Sequence, residues 1–221
     1  MKSGKFIVFD GVDGSGKTTQ LKLFKEKLEK DGHQVEIADF PQYGKKSAAL
    51  VEEYLNGAYG SPKEVGAYRA SIFYACDRYA ASKRISQWLA EGKIVLSNRY
   101  VSSNMIHQSG KIKDTAEREK FLKWLENLEF EIFNIPKPDI ILFLYLDPAV
   151  AQKLALQEHK HGGQQDIHEQ DLDHMKDSIE AAEYVAKKYN WLKINCLGGD
   201  GNIASREDIQ KKVVEILEKH I

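Results

Sequence analysis

Cysteine, arginine and long apolar runs are all scarce in this 221-residue chain, and each scarcity excludes something. The two cysteines, Cys76 and Cys196, lie far apart and show no metal-ligand spacing. They read as reduced core thiols of a cytoplasmic protein. The longest apolar run, residues 140–146, is strand-sized and well short of a membrane span. No sign of charge dominates: 32 Lys and Arg against 33 Asp and Glu leave a formal net charge of −1. That balance gives no general attraction to nucleic acid polymers or to anionic membranes. The start, MKSGKFIVFD, has neither a long apolar segment nor a small-residue cleavage site, so no signal peptide is expected. Internal repeats and low-complexity linkers are also missing. What remains is an ordinary globular composition, 42% hydrophobic and 29% charged, long enough for one domain with a real core.

What is present begins with residues 11–18, Gly-Val-Asp-Gly-Ser-Gly-Lys-Thr, which fit G-x-x-x-x-G-K-[ST]. Phe6-Ile7-Val8-Phe9 before it is a short apolar run of β-formers. After it, Leu21, Phe24 and Leu28 recur at helical spacing until Gly32 stops the helix. Strand, glycine-rich loop and helix together aim backbone N–H groups and a helix N-terminus at one anion. The motif therefore predicts a nucleoside triphosphate site built from Gly11, Val12, Asp13, Gly14, Ser15, Gly16, Lys17, Thr18 and Thr19. Lys17 reaches the terminal phosphates and Thr18 sits on Mg²⁺. Further strands are expected near residues 35–38, 94–96, 140–146 and 192–194. Helices are expected over residues 46–55, from Pro62 to about residue 89, after Asp147-Pro148, and from Ser205 onward. Strands that alternate with helices, several of them apolar on both faces, predict a parallel sheet covered on both sides.

Three further clusters look fit to hold a second, phosphate-bearing substrate. Tyr74 and Arg78 are four apart on the long helix and share a face. That suits a flat base and its phosphate, although alone the pair reads more simply as a core tyrosine beside a solvated arginine. Asn98-Arg99-Tyr100 follows the third strand and leads into Ser103, Asn104, His107 and Gln108, the ligand position of such sheets. Arg99 can clamp a phosphate and Asn104 can present donor and acceptor to a base edge; loop capping is the competing account. Phe40-Pro41-Gln42-Tyr43 leaves two aromatics at the mouth of the cleft.

These motifs, together with Phe73-Tyr74-Ala75-Cys76-Asp77-Arg78 and Pro136-Lys137-Pro138-Asp139, occur in the order and rough spacing of thymidylate kinases. The chain resembles that family, its bacterial branch most closely, from the first strand to about Glu169. The resemblance implies a five-stranded P-loop nucleoside monophosphate kinase fold with a short lid near residues 155–170. It also implies phosphoryl transfer from MgATP to dTMP, and a homodimer formed through helices. By position, Asp13 touches the deoxyribose or the metal shell, and Phe40, with Tyr43 nearby, lines the nucleoside pocket. Tyr74 stacks on thymine, Arg78 binds base or phosphate, Arg99 the acceptor phosphate and Asn104 the thymine edge. Glu169 belongs to the metal shell or the sugar contact.

The chain also departs from the family. Asn98 stands where members commonly have an aspartate, which keeps a carbonyl ligand for the metal but loses a charge. His107 stands where an aromatic closes over the sugar. Residues 154–170 contain no arginine, and the whole chain has six: Arg69, Arg78, Arg84, Arg99, Arg118 and Arg206. Lys160, beside Gly162-Gly163, is the expected substitute for a lid arginine in catalysis, alongside Lys17, Asp13 and Arg99; a solvated loop lysine is the alternative. Two other functions compete with the dTMP kinase. One is a kinase of another or of several nucleoside monophosphates, and the other is a non-catalytic nucleotide-binding module.

Overall fold

A computed structural model of the chain describes residues 4–159 and 172–221. Five strands, β1 (Lys5–Gly11), β2 (Val35–Asp39), β3 (Ile94–Asn98), β4 (Ile140–Tyr145) and β5 (Leu192–Asn195), form a parallel sheet in the order β2-β3-β1-β4-β5. The strands are the expected ones, lengthened by one to three residues; β4 alone stops one residue early. Alternate side chains of β1 explain the two-sided cover. Phe6 and Val8 pack with Phe40, Val95, Tyr100 and Phe143 on one face, while Ile7 and Phe9 pack with Phe24, Leu96, Leu142 and Ile209 on the other.

Helix α1 (Lys17–Lys30) follows the phosphate loop and is closed by Gly32, whose φ of 86° only glycine adopts cheaply. The expected helix over residues 46–55 is a 3₁₀ turn, Lys46–Ala48, leading into α2 (Ala49–Leu55). The long helix α3 (Pro62–Ala90) starts as read: Ser61 accepts from Glu64 N–H while the Glu64 carboxylate accepts from Ser61 N–H. It is broken once, at Gly66, where φ is 74° and ψ 168°. Among the segments that were not expected are α4 (Val101–His107), α5 (Thr115–Glu126), a π-helical turn Asn127–Ile132, and α7 (Leu172–Lys188). The two remaining helices, α6 (Pro148–His159) and α8 (Arg206–Leu217), start at the expected caps: Asp147 accepts from Ala149 N–H and Ser205 from Asp208 N–H.

The Pro136-Lys137-Pro138-Asp139 segment has a mechanical role. Asp139 Oδ2 accepts from Phe6 N at 2.8 Å, and Pro136 O accepts from Tyr100 Oη at 3.1 Å. The start of β4 is thereby tied to β1 and to the residue after Arg99. Cys76 and Cys196 are both free, and burial pushes the Cys196 thiol up to about 12.

Candidate functional site

The phosphate loop leaves β1 at Gly11, where φ is 150° and a Cβ would collide with the Leu144 carbonyl. Lys17 folds back so that its Nζ donates to Val12 O at 2.8 Å and lies 3.5 Å from Asp13 Oδ1. Asp13, Gly14, Gly16, Lys17, Thr18 and Thr19 line an open cleft of about 1700 Å³ at the carboxyl ends of the strands. Gly11, Val12 and Ser15 are buried instead and do not line it. Val12 belongs to the core beneath α1, and its carbonyl accepts from Lys17.

A second cleft, about 600 Å³, adjoins the first. Every residue expected to bind a second substrate lines it: Asp13, Phe40, Tyr43, Tyr74, Arg78, Arg99, Ser103, Asn104, His107 and Gln108. Pro41, Leu55 and Tyr100 complete the wall; Pro41 and Tyr100 belong to the clusters read from the sequence, whereas Leu55 had no signal of its own. The two clefts share Asp13, Phe40, Pro41, Tyr43 and Arg99. The clefts therefore adjoin across these five residues.

Arg99 sits at that junction. Its backbone is left-handed, with φ 61°, and is held by Phe9 O and by Ser97 Oγ. A non-glycine residue in this region marks stored strain, and such strain clusters at functional sites. The guanidinium ion-pairs with Asp13 and reaches Ser103 Oγ at 3.3 Å and His107 Nε2 at 3.0 Å. Because a guanidinium only donates, this contact is a hydrogen bond in the tautomer that leaves His107 Nε2 unprotonated. Burial alone would raise the Asp13 carboxyl, but Arg99 and Lys17 outweigh it and hold the group well below the usual carboxylate range. For Lys17, burial and then Arg99 dominate, and the ammonium falls to about 8. Asp13 thus spaces two cations that would otherwise repel each other.

Asp10 was missed, though its signal was visible as one acid inside an apolar run. It is fully buried and accepts from Gly11 N, Ser102 Oγ and Ser103 Oγ, which fastens α4 to the phosphate loop. Glu129 was missed as well. It lies on the π-helical turn and forms a buried ion pair with Arg78, whose Nε is 3.1 Å from both carboxylate oxygens. Arg78 is therefore not solvated: it is 2% exposed, and its Nη1 also donates to Tyr100 O at 3.3 Å. With its charge neutralised, it offers the cleft hydrogen-bond donors rather than a free cation. Tyr74 shares the cleft with it, edge-on to Tyr54.

Asn104 Nδ2 donates to Ser71 O at 3.2 Å, which turns its carbonyl into the acceptor available to a base edge. Gln42 fixes the loop bearing Phe40, Pro41 and Tyr43, since its backbone N–H and its side-chain amide both donate to Asp77 on α3. Asn98 Nδ2 donates to Asp39 Oδ1 at 2.9 Å and lies 3.4 Å from Thr18 Oγ1, while Asn98 Oδ1 is buried without a partner. Among the described residues no group of three or more His, Cys, Asp or Glu is placed to hold a metal by itself. Leu154, the first residue of the arginine-free stretch, packs beside Gly14 with its Cβ 3.4 Å from where a Gly14 Cβ would stand. Lys160 and Glu169 lie outside the described residues.

Comparison with known proteins gives one answer. Residues 9–197 match the model of the thymidylate kinase family. The thymidylate kinase of Mycobacterium tuberculosis is 28% identical over 206 residues, covering 90% of this chain and 95% of its own. That of Pelotomaculum thermopropionicum is 36% identical over 145 residues, covering 65% of this chain and 63% of the relative. The solved structure of Candida albicans thymidylate kinase superposes with a TM-score of 0.73 at 21% identity, over 98% of this chain and 92% of that one.

Proposed function

The chain belongs to the thymidylate kinase family, and we infer that it transfers the γ-phosphate of ATP to dTMP, giving dTDP and ADP. The observation that carries this reading is the junction of the two clefts. Lys17 faces the donor side, Arg99 faces the acceptor side, and Asp13 holds both. Phosphoryl transfer asks little covalent chemistry of a protein and depends on positioning and charge, and this junction supplies both. Beyond it, Arg78 donates and the Asn104 carbonyl accepts. Thymine offers a carbonyl acceptor beside an N–H donor, the complement of that pair, whereas cytosine reverses both positions. Tyr74 is the stacking surface, Phe40 and Tyr43 bound the nucleoside, and Ser103, His107 and Gln108 fill the remaining wall.

Mg²⁺ accompanies the ATP in this reading. The oxygen groups beside the phosphate loop fit it, since Thr18 Oγ1 and the orphaned Asn98 Oδ1 are hard neutral donors and Asp13 is a nearby carboxylate. The ion, when bound, neutralises charge on the β- and γ-phosphate oxygens. We assign Glu169 to the same shell and residues 155–170 of this one domain to the lid. Lys160 is the lid cation that closes on the phosphates. Lys160→Ala then lowers turnover by roughly tenfold or more while Lys160→Arg preserves it; unchanged turnover in Lys160→Ala removes the assignment. The protein acts in the cytoplasm, in keeping with its two free cysteines. It pairs as a homodimer through α3, where Tyr68, Ile72 and Tyr79 are exposed along one side. Sedimentation at micromolar concentration tests the pairing, and a monomer there rejects it.

A panel of dTMP, dUMP, dCMP, dGMP and UMP with MgATP, read by ADP release, tests the function. The highest kcat/KM is expected for dTMP, with dCMP far below it. No transfer to dTMP, or a preference for dCMP, overturns the reading. Lys17→Ala is expected to lower turnover with dTMP by about 10² to 10⁴ while the fold persists.

A further inference from the structure

Phosphate-loop enzymes hold their Mg²⁺ through the loop Ser or Thr and through a carboxylate on a neighbouring strand. In this chain the residue ending β3 beside Thr18 is Asn98, a neutral amide. Two carboxylates line the donor cleft among the described residues, Asp13 and Asp39. Asp13 is engaged by Arg99 and by Lys17. A carboxylate already neutralised by two cations, with both still beside it, is a poor source of charge for a third.

Asp39 is different. It is the last residue of β2, in direct register with Asn98, and it is exposed at the cleft. Among the described residues it meets an amide: Asn98 Nδ2 donates to Oδ1 at 2.9 Å. That same Nδ2 lies 3.4 Å from Thr18 Oγ1, so one amide nitrogen links the carboxylate to the hydroxyl. The remaining amide atom, Asn98 Oδ1, is buried and has no partner, an arrangement that costs energy unless a ligand completes it.

We propose that Asp39 supplies the negative charge of the divalent-cation site, with Asn98 and Thr18 supplying its neutral oxygens. The carboxylate expected at the end of β3 is thus provided one strand further out and relayed through an amide. Mg²⁺ keeps several of its waters and needs only one or two protein carboxylates besides the phosphates, so an acid at this remove serves it. This proposal rests on the MgATP reading above.

The test measures Mn²⁺, a spectroscopic substitute for Mg²⁺, by electron paramagnetic resonance with ADP present, and measures metal-free ADP by calorimetry. Asp39→Ala is expected to weaken Mn²⁺ binding in the ADP complex at least tenfold while metal-free ADP binds as in the wild type, which also reports an intact fold. Adding Asn98→Asp to Asp39→Ala returns the charge to β3 and is expected to recover most of the Mn²⁺ affinity. Unchanged Mn²⁺ affinity in Asp39→Ala, an equal loss with and without metal, or no recovery in the double variant overturns the proposal. A wild-type protein that binds neither Mn²⁺–ADP nor dTMP overturns the kinase reading itself. One that binds both, while Asp39→Ala matches it, overturns the metal assignment alone.

Discussion

Arg99 meets Asp13, Ser103 and His107 at once, from a backbone conformation that few side chains adopt. Such a residue is placed before its ligand arrives, so its removal costs mainly the acceptor it faces. Arg99→Ala is expected to raise the dissociation constant of dTMP at least tenfold more than that of ATP, measured by calorimetry; equal weakening of both places the guanidinium on the donor instead. Tyr74→Ala is expected to weaken dTMP by roughly 1 kcal/mol through lost stacking. A fall in thermal stability alone would make it a core tyrosine. Arg99 was marked in the sequence by its place after a buried strand, whereas the spacing of Tyr74 from Arg78 alone favoured a core tyrosine, and only the family resemblance put it in the nucleoside pocket. Arg78 was half legible: spacing gave its face but could not give Glu129, which is 51 positions away.

The elements divide along the same line. Strands β1, β3 and β4 were legible because each holds a compact apolar run, β2 and β5 more faintly because charged and polar residues interrupt them, and α3 because its capping box and first-turn proline are local. Helix α4 was obscured because its cleft-facing side carries Ser103, Asn104 and His107, so function interrupts the apolar stripe. Helix α5 did carry a signal, Asp114 accepting from Glu117 N–H, that went unread. The π-helical turn had none, since one wide turn leaves no periodic mark. That turn still delivers Glu129 to Arg78 with both side chains buried, and breaking such a pair leaves an unpaired buried charge. Glu129→Ala is therefore expected to cost about 3 kcal/mol in urea unfolding and to raise the KM for dTMP more than for ATP. A variant with wild-type stability and an unchanged KM would show that the turn does not support the acceptor cleft.

At the scale of the whole molecule, pH tests how the fold tolerates its own buried charges. Lys111 is partly buried beside Gln108 of the acceptor cleft, where its Nζ donates to Tyr54 Oη at 2.8 Å and to Gln108 Oε1 at 2.7 Å. Among the described residues no carboxylate pairs with it, and burial lowers its ammonium to about 8. Below that value folded and unfolded chains both carry the proton, so the cost of the partly buried charge is present. Above it the folded chain releases the proton first, the unfolded chain binds more, and stability rises with pH until the unfolded lysine also titrates. Lys17 contributes with the same sign, because its value is lowered to about 8 as well. Cys196 and Tyr100 oppose them at higher pH, since burial raises both and the unfolded chain loses those protons first. A wild-type curve alone mixes these effects, whereas the difference between wild type and Lys111→Met cancels all but one. The variant's stability relative to wild type is expected to fall by on the order of 1 kcal/mol between pH 7.5 and 9.5 in urea titrations. The hydrogen bonds lost to Tyr54 and Gln108 shift both ends of that comparison alike, because a neutral amine donates to the same two oxygens. A difference that stays constant over this range would mean that Lys111 keeps an ordinary proton affinity, held by solvent or by a group beyond those described.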